Sequence, residues 1–297
     1  MTAATEMSNV PEVTIDASHR RRPWLAAFRT PSGIVGLVLM LVVVVLALVS
    51  VFGLTPYNEA QQNVALSLHG PDSAHWFGTD QFGRDIFSRV ASGLFDSLRI
   101  AVVSVAASAV VGVTLGILAG YYQGIVDRIV GVVTNVLFAF PSLLLALALA
   151  ATLQSSWVTV SIAIAVVFMP IFARVARGPV LTLRTADYVV ASTALGRGKL
   201  SILFEHVVPN MSGILVVQVT LSLSWAILTE AALSFLGFGA PPPAPSLGGM
   251  VYDAQSLVSV APWMLIFPGA ALVVAVVGLN QLGDSLRAAL DPKTGGR

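Results

Sequence analysis

Residues 187–210 read DYVVASTALGRGKLSILFEHVVPN. The chain on either side runs in long apolar blocks, and this stretch interrupts them with charges, a central glycine and a Pro-Asn end. Tyr188, Ala191 and Leu195 recur at i, i+3 and i+7, and Ala194 widens the same stripe with a small side chain. Thr185 is placed to cap a helix start, with Asp187 in the first turn, where the helix dipole favours an anion. Gly196 is placed to end the helix. The spacing therefore predicts a short helix over 188–195 with an apolar face, held between two hydrophobic blocks. That face either enters a groove on another protein or lies on lipid headgroups.

The blocks themselves set the fold class. Of 297 residues, 56% are hydrophobic and 10% charged, against about 25% charged in a soluble domain. This is the composition of an all-α integral membrane protein. A spanning helix needs about 20 apolar residues. Six stretches qualify, at 34–54, 98–121, 129–153, 158–173, 214–233 and 263–282. Pro141 is expected to kink the third, and the fourth is short and contains Pro170. The basic cluster at 19–22 resembles the start of a signal peptide. However, the apolar run after it has 21 residues and no small-residue cleavage site, so it reads as an uncleaved first span. Residues 1–30 form an N-terminal tail, 31–290 the membrane domain and 291–297 a C-terminal tail.

Lys and Arg decide the orientation. With the N-terminus inside, Arg20, Arg21, Arg22, Arg29, Arg128, Arg174, Arg177, Arg184, Arg197, Lys199, Arg287, Lys293 and Arg297 fall inside, and only Arg84, Arg89 and Arg99 outside. Both termini and the stretch at 187–210 are then cytoplasmic. No cytoplasmic loop of the chain is large enough to cover the stripe.

Three other segments carry pattern. Ser104, Ser108, Gly112, Gly116 and Gly120 form a ridge of small residues at four-residue spacing, suited to close helix packing within the subunit or between subunits. Phe87, Val90, Leu94 and Leu98 share a face of a predicted amphipathic helix over 85–97, lying at the outer membrane interface. After Gly237, three consecutive prolines exclude helix at 241–243, whereas 250–258 can form a short one.

Catalytic chemistry finds little purchase. Without cysteine, thiolate metal sites and cysteine nucleophiles are excluded. Gly196-Arg197-Gly198-Lys199-Leu200 approaches a phosphate-binding loop but lacks its leading glycine and its Ser/Thr. The four histidines do not pair at metal-ligand spacing. Glu230 is the one ionisable residue within a span away from its ends, near the outer end of the fifth. A carboxylate there either lines a path or gate, or makes an interhelical hydrogen bond. A single acid is thin provision for ion-coupled transport, so the energy should come from another chain.

At 187–210 the chain resembles the EAA loop of permease subunits of bacterial ABC importers. The matching positions are Val190-Ala191-Ser192, Gly196 and Val208-Pro209. The family's leading glutamate is here Val190, its second alanine Ser192, and its leucine before the proline Val208. FGTDQFGRDIFSRVASG from Phe77, DRIVGVVTNVLFAFPSLLLA from Asp127, ILTEAALSFLGFG from Ile227 and LGDSLRAALDP from Leu282 resemble the dipeptide/oligopeptide (peptide/nickel) subfamily, and within it the second of two permease partners. The resemblance implies a six-span, type I importer-like permease of the bacterial cytoplasmic membrane. It implies a related second permease subunit, two ATPase subunits that hold ATP and Mg, and an extracytoplasmic peptide-binding protein. The chain itself would be no enzyme, bind no cofactor and meet lipid but no nucleic acid. Asp187, Tyr188, Ala191, Ala194, Leu195 and Gly196 would couple to an ATPase. Glu230 would face the path or gate. Gly78, Thr79, Asp80, Gly83, Arg84, Asp85 and Tyr252 would dock the binding protein or form a lid. Nickel-chelate and glutathione importers have the same architecture. A secondary transporter or channel working alone is the competing class.

Overall fold

The computed structural model describes residues 27–152 and 154–290. Most of both predicted tails lies outside the described residues, with the basic residues Arg20, Arg21, Arg22, Lys293 and Arg297. Helix α1 (Pro31–Val51) starts at Thr30, whose hydroxyl accepts the Gly33 amide at 3.1 Å, with Pro31 in the first turn. Helix α2 (Ile86–Tyr122) is capped by Asp85. Helices α3 (Gly124–Ala139) and α4 (Ser142–Thr152) follow. Helix α5 (Trp157–Leu183) is capped by Ser156, and α6 (Asp187–Ala194) follows it closely. Helix α7 (Lys199–Ile202) runs through a π-helical turn (Leu203–Val207) into α8 (Val208–Phe235). A short helix, α9 (Leu247–Ala254), precedes α10 (Trp263–Leu290).

Among the described residues, five helical stretches are long and apolar enough to cross a membrane: α1, α2, α5, the run Lys199–Phe235, and α10. The third predicted span is a pair of helices, α3 and α4, bent by 93° at the kink expected there. The cause is Pro141. It has no amide hydrogen to donate, and its ring pushes Phe140 into extended backbone (φ −93°, ψ 139°). The fourth span is longer than expected. Pro170 and Pro179 both lie inside α5 without ending it.

The helix expected at the outer interface is a correction. Residues 86–97 are the first three turns of α2, which runs 37 residues without a break. Val90 and Leu94 are buried in the core, and Leu247 of α9 packs over Gly93. Protein, rather than headgroups, covers that face. No proline lies between Asp85 and the small-residue ridge, so one capped start propagates through both segments.

The ridge on α2 packs within the chain. A Cβ on Gly112 would meet the Met169 carbonyl oxygen at 2.4 Å, and one on Gly116 the Ala173 oxygen at 2.3 Å. Ser108 donates to the Ala165 carbonyl of α5 at 3.0 Å. Helices α2 and α5 therefore approach to backbone contact along the ridge. On the other flank, Gly36 of α1 sits against α10, and Ser32 and Ser285 hydroxyls meet at 2.9 Å. The far side of α1 exposes Leu37, Leu41 and Val45, as a face turned to lipid does.

Candidate functional site

The polar chemistry gathers in three places. The first is a cap between α1 and α2. Asp80 accepts the Phe82 and Arg84 amides at 2.8 and 3.0 Å and the Arg84 Nε at 2.6 Å. Arg89 Nε lies 3.7 Å from the same carboxylate, and its Nη1 donates to the Glu59 carbonyl at 2.9 Å and the Pro243 carbonyl at 3.4 Å. Asp85 caps α2 through Ser88 and also meets His75 Nδ1 at 2.9 Å, with Tyr57 stacked on the imidazole. The Trp263 indole donates to the Thr79 carbonyl at 3.1 Å. Gly78 (φ +75°) and Gly83 (φ +69°) hold left-handed turns, and a Cβ on Gly83 would strike the Asn63 carbonyl.

All six named residues of this segment, Gly78, Thr79, Asp80, Gly83, Arg84 and Asp85, are buried. They build the cap and are not its outer surface. Tyr252, 52% exposed, stands on the rim of a cavity of about 630 Å³ between the cap and the Pro-rich loop. Asp253 lines that cavity too. Burial raises its carboxyl above the usual range, against the lowering effect of Arg84 and Arg89. Arg89 and Asp253 escaped the sequence reading, because nothing local marks them. They meet Asp80 and Arg84 only through the tertiary fold.

The second place is Glu230. It is 1% exposed, its Oε2 accepts the Ser97 hydroxyl of α2 at 2.6 Å, and its Oε1 accepts the Ser234 hydroxyl at 2.7 Å. This geometry has the form of the interhelical hydrogen bond. Ser234 was legible as the i+4 neighbour of Glu230; Ser97, 133 residues away, was not.

The third place is α6. Its N-cap is Ala186, with no side-chain bond. Thr185, the expected cap, instead donates to the Thr182 carbonyl at 2.9 Å. It remains engaged with the end of α5, because only three residues separate the helices. The C-terminus is a Schellman turn. The Arg197 amide donates to Ser192 and the Gly196 amide to Thr193, with Gly196 at φ +77°. Val189 is buried and anchors the helix. Tyr188, 44% exposed, rests edge-on against His206 at 5.8 Å. Ala191, Ala194 and Leu195 are exposed, and Val190 joins them at 54%. Asp127 and Arg177 form a paired bond near the α3 start, at 2.5 and 2.7 Å. Among the described residues, no group of three or more His, Asp or Glu side chains could hold a metal.

Known proteins match this arrangement along most of the chain. Residues 112–296 match the family described as binding-protein-dependent transport system inner membrane component. The chain is 41% identical to the dipeptide transport system permease protein DppC of Alkalihalophilus pseudofirmus over 275 residues, covering 91% of this chain and 90% of that one. It is 45% identical to the glutathione transport system permease protein GsiD of Pectobacterium atrosepticum over 224 residues, 75% and 74% of the two chains. A chain in a solved structure of the inward-facing MetNI methionine ABC transporter shares the fold, with a TM-score of 0.55 at 20% identity, over 69% of this chain and 97% of that one. Five spanning helices, a bent pair and a short exposed helix between two spans are thus joined to a family match over more than half the chain: the protein belongs to the binding-protein-dependent transport system inner membrane components and is a permease subunit of an ABC importer.

Proposed function

We propose that this permease moves short peptides inward across the bacterial cytoplasmic membrane, as the second of two related permease subunits. ATP is hydrolysed on two separate ATPase subunits, and an extracytoplasmic binding protein delivers the cargo. The observation that carries the coupling is α6. It presents an exposed apolar strip of Val190, Ala191, Ala194 and Leu195, between two spans, that no described residue covers. The excess of basic residues supports a cytoplasmic position for that end and for both tails (1–30 and 291–297). Dipeptide cargo is supported by the dipeptide transport system permease protein DppC, which aligns over nine-tenths of the chain. Glutathione is the second reading, supported by the relative at 45% identity.

Reconstitution tests the whole. The chain, its partner permease, the ATPases and the binding protein are placed in proteoliposomes, and uptake of labelled dipeptide and glutathione is followed. ATP-dependent dipeptide uptake that requires every component is expected. Preference for glutathione replaces the first reading with the second. Uptake by the chain alone, driven by an ion gradient, removes both.

The cap and the Pro-rich loop form the outer face in this reading. A photo-crosslinking side chain at the exposed Tyr252 should capture the binding protein. Capture of the partner permease alone leaves only a lid.

Glu230 works, in this proposal, as the bond that holds the outer gate, tying α8 to α2 through Ser97. Glu230→Gln keeps size and hydrogen-bonding capacity, so assembly and uptake should stay near the parent level. Glu230→Ala leaves two buried hydroxyls without their acceptor, at about 1–3 kcal/mol each, and should lower both the thermal midpoint of the complex and uptake. Equal loss in both variants would instead assign the role to the charge.

A further inference from the structure

Arg84, Arg89 and Asp253 line the cavity under the Pro-rich loop; Arg89 is tied to Asp80 and to the Glu59 and Pro243 carbonyls, while Arg84 and Asp253 keep bonding capacity to spare. Arg84 is 6% exposed, and only its Nε is engaged, by Asp80. Its two terminal nitrogens have no acceptor among the described residues, although Arg84 lines the cavity. Asp253 lines the same cavity and has no hydrogen-bond partner among the described residues. A buried arginine normally spends its fork on carboxylates or carbonyls. Here the fork is fixed in direction by Asp80 and by the Phe82 ring, 4.6 Å from the guanidinium carbon. Gln62, Gln81 and Tyr252 add neutral polar groups around the pair.

We propose that this cavity is a transient binding site for the zwitterionic form of the cargo, with Arg84 receiving a carboxylate and Asp253 an ammonium. An anionic side chain from a docked protein would use Arg84 but be repelled by Asp253. A cation would meet the reverse conflict. A ligand carrying both charges satisfies both walls. The cavity, at about 630 Å³, is roomy for a short peptide and within the usual range of ligand sites. An ammonium beside Asp253 also offsets the burial that disfavours its ionised form.

The floor of the cavity gives the site a consequence. Ser234 lines it and is the residue that donates to Glu230, which in turn is bonded to Ser97. Cargo in the cavity therefore lies one side chain from the bond between α8 and α2. The inference rests on the outer location and peptide cargo proposed above.

Asp253→Asn tests it with little risk to folding, since it preserves shape and removes no hydrogen bond among the described residues. Uptake of a dipeptide and of its N-acetyl analogue is measured in the full reconstituted importer, for parent and variant. The binding protein is the same in both, so its own preference for a free amine cancels in the comparison. The parent should favour the free amine, and the variant should reduce that preference about fivefold, the effect of a partly solvated charge pair of about 1 kcal/mol. Assembly is checked by co-purification of the ATPases. An unchanged preference in an active variant overturns the site while leaving peptide transport standing. A parent that carries no zwitterionic cargo overturns both.

Discussion

Gly116→Val should abolish recovery of folded, monodisperse protein. At this position a Cβ would sit 2.3 Å from the Ala173 carbonyl oxygen and 2.8 Å from the Ala176 Cβ. Ordinary contacts between such atoms need roughly 1 Å more. Neither obstacle is a flexible side-chain end, so α2 and α5 would have to separate. Separation opens the contact along the whole ridge, including Gly112 against Met169 and the Ser108 bond to Ala165. Overpacking usually costs about 1–3 kcal/mol. Here the cost should exceed that range, because in lipid no hydrophobic drive towards water exclusion restores helix contact. The measurement is detergent-extracted yield and thermal midpoint by size-exclusion chromatography. Gly269→Ala is the control: no atom outside its own helix backbone lies within 4 Å of its Cβ position. Parent-like yield from Gly116→Val would mean that α2 and α5 are not in backbone contact.

That ridge also shows what the sequence could and could not disclose. Four-residue spacing of small side chains is a local pattern, so a close-packed face was readable, and α5 is the partner. Whether the facing surface was another subunit or a neighbouring helix was not readable, since spacing on one helix carries no information about its partner. The same limit explains the misread helix at 86–97. Its apolar face was correct, but membrane interface and protein core place the same demand on side chains. Pro141 acted as the sequence implied, because a missing amide hydrogen is a property of one residue. The size of the bend, 93°, depends on how α3 and α4 pack. At the cap, Asp80, Arg84 and Asp85 were singled out through the resemblance of the segment from Phe77, and not through any local physical signal. Their burial was invisible, and so was the union of Arg89 with the Pro243 carbonyl, 154 residues away. The end of α6 was legible in full, since a Schellman turn is written by one glycine, whereas its start was not: several residue types can precede a helix, and Thr185 bonded backward.

Ala191→Arg should uncouple transport while leaving the permease itself folded. Ala191 is exposed on α6, the buried Val189 anchors the helix, and Tyr188, on the same stripe as Ala191, rests against His206. An arginine at 191 therefore clashes with nothing described in this chain and preserves helix propensity. Its effect falls on whatever covers the strip of Val190, Ala194 and Leu195. If an ATPase groove closes over that strip, the substitution forces a guanidinium into an apolar contact without a partner. Such burial costs several kcal/mol, and about 1.4 kcal/mol already weakens association tenfold. The expected result is at least a tenfold drop in ATPase co-purification or in transport-coupled ATP hydrolysis, with unchanged thermal stability of the isolated permease. A lipid-facing strip gives the opposite result. At a headgroup surface arginine is favoured, its stem lying along the apolar boundary and its head among phosphates. Coupling would then stay at the parent level, and α6 would lose its proposed role. Leu195→Ala grades the same contact. Leu195 is 85% exposed in the chain alone, so its truncation should cost nothing in the isolated permease. Within a complex it should cost the partner about 1.5–3 kcal/mol, the range for burial of one leucine side chain.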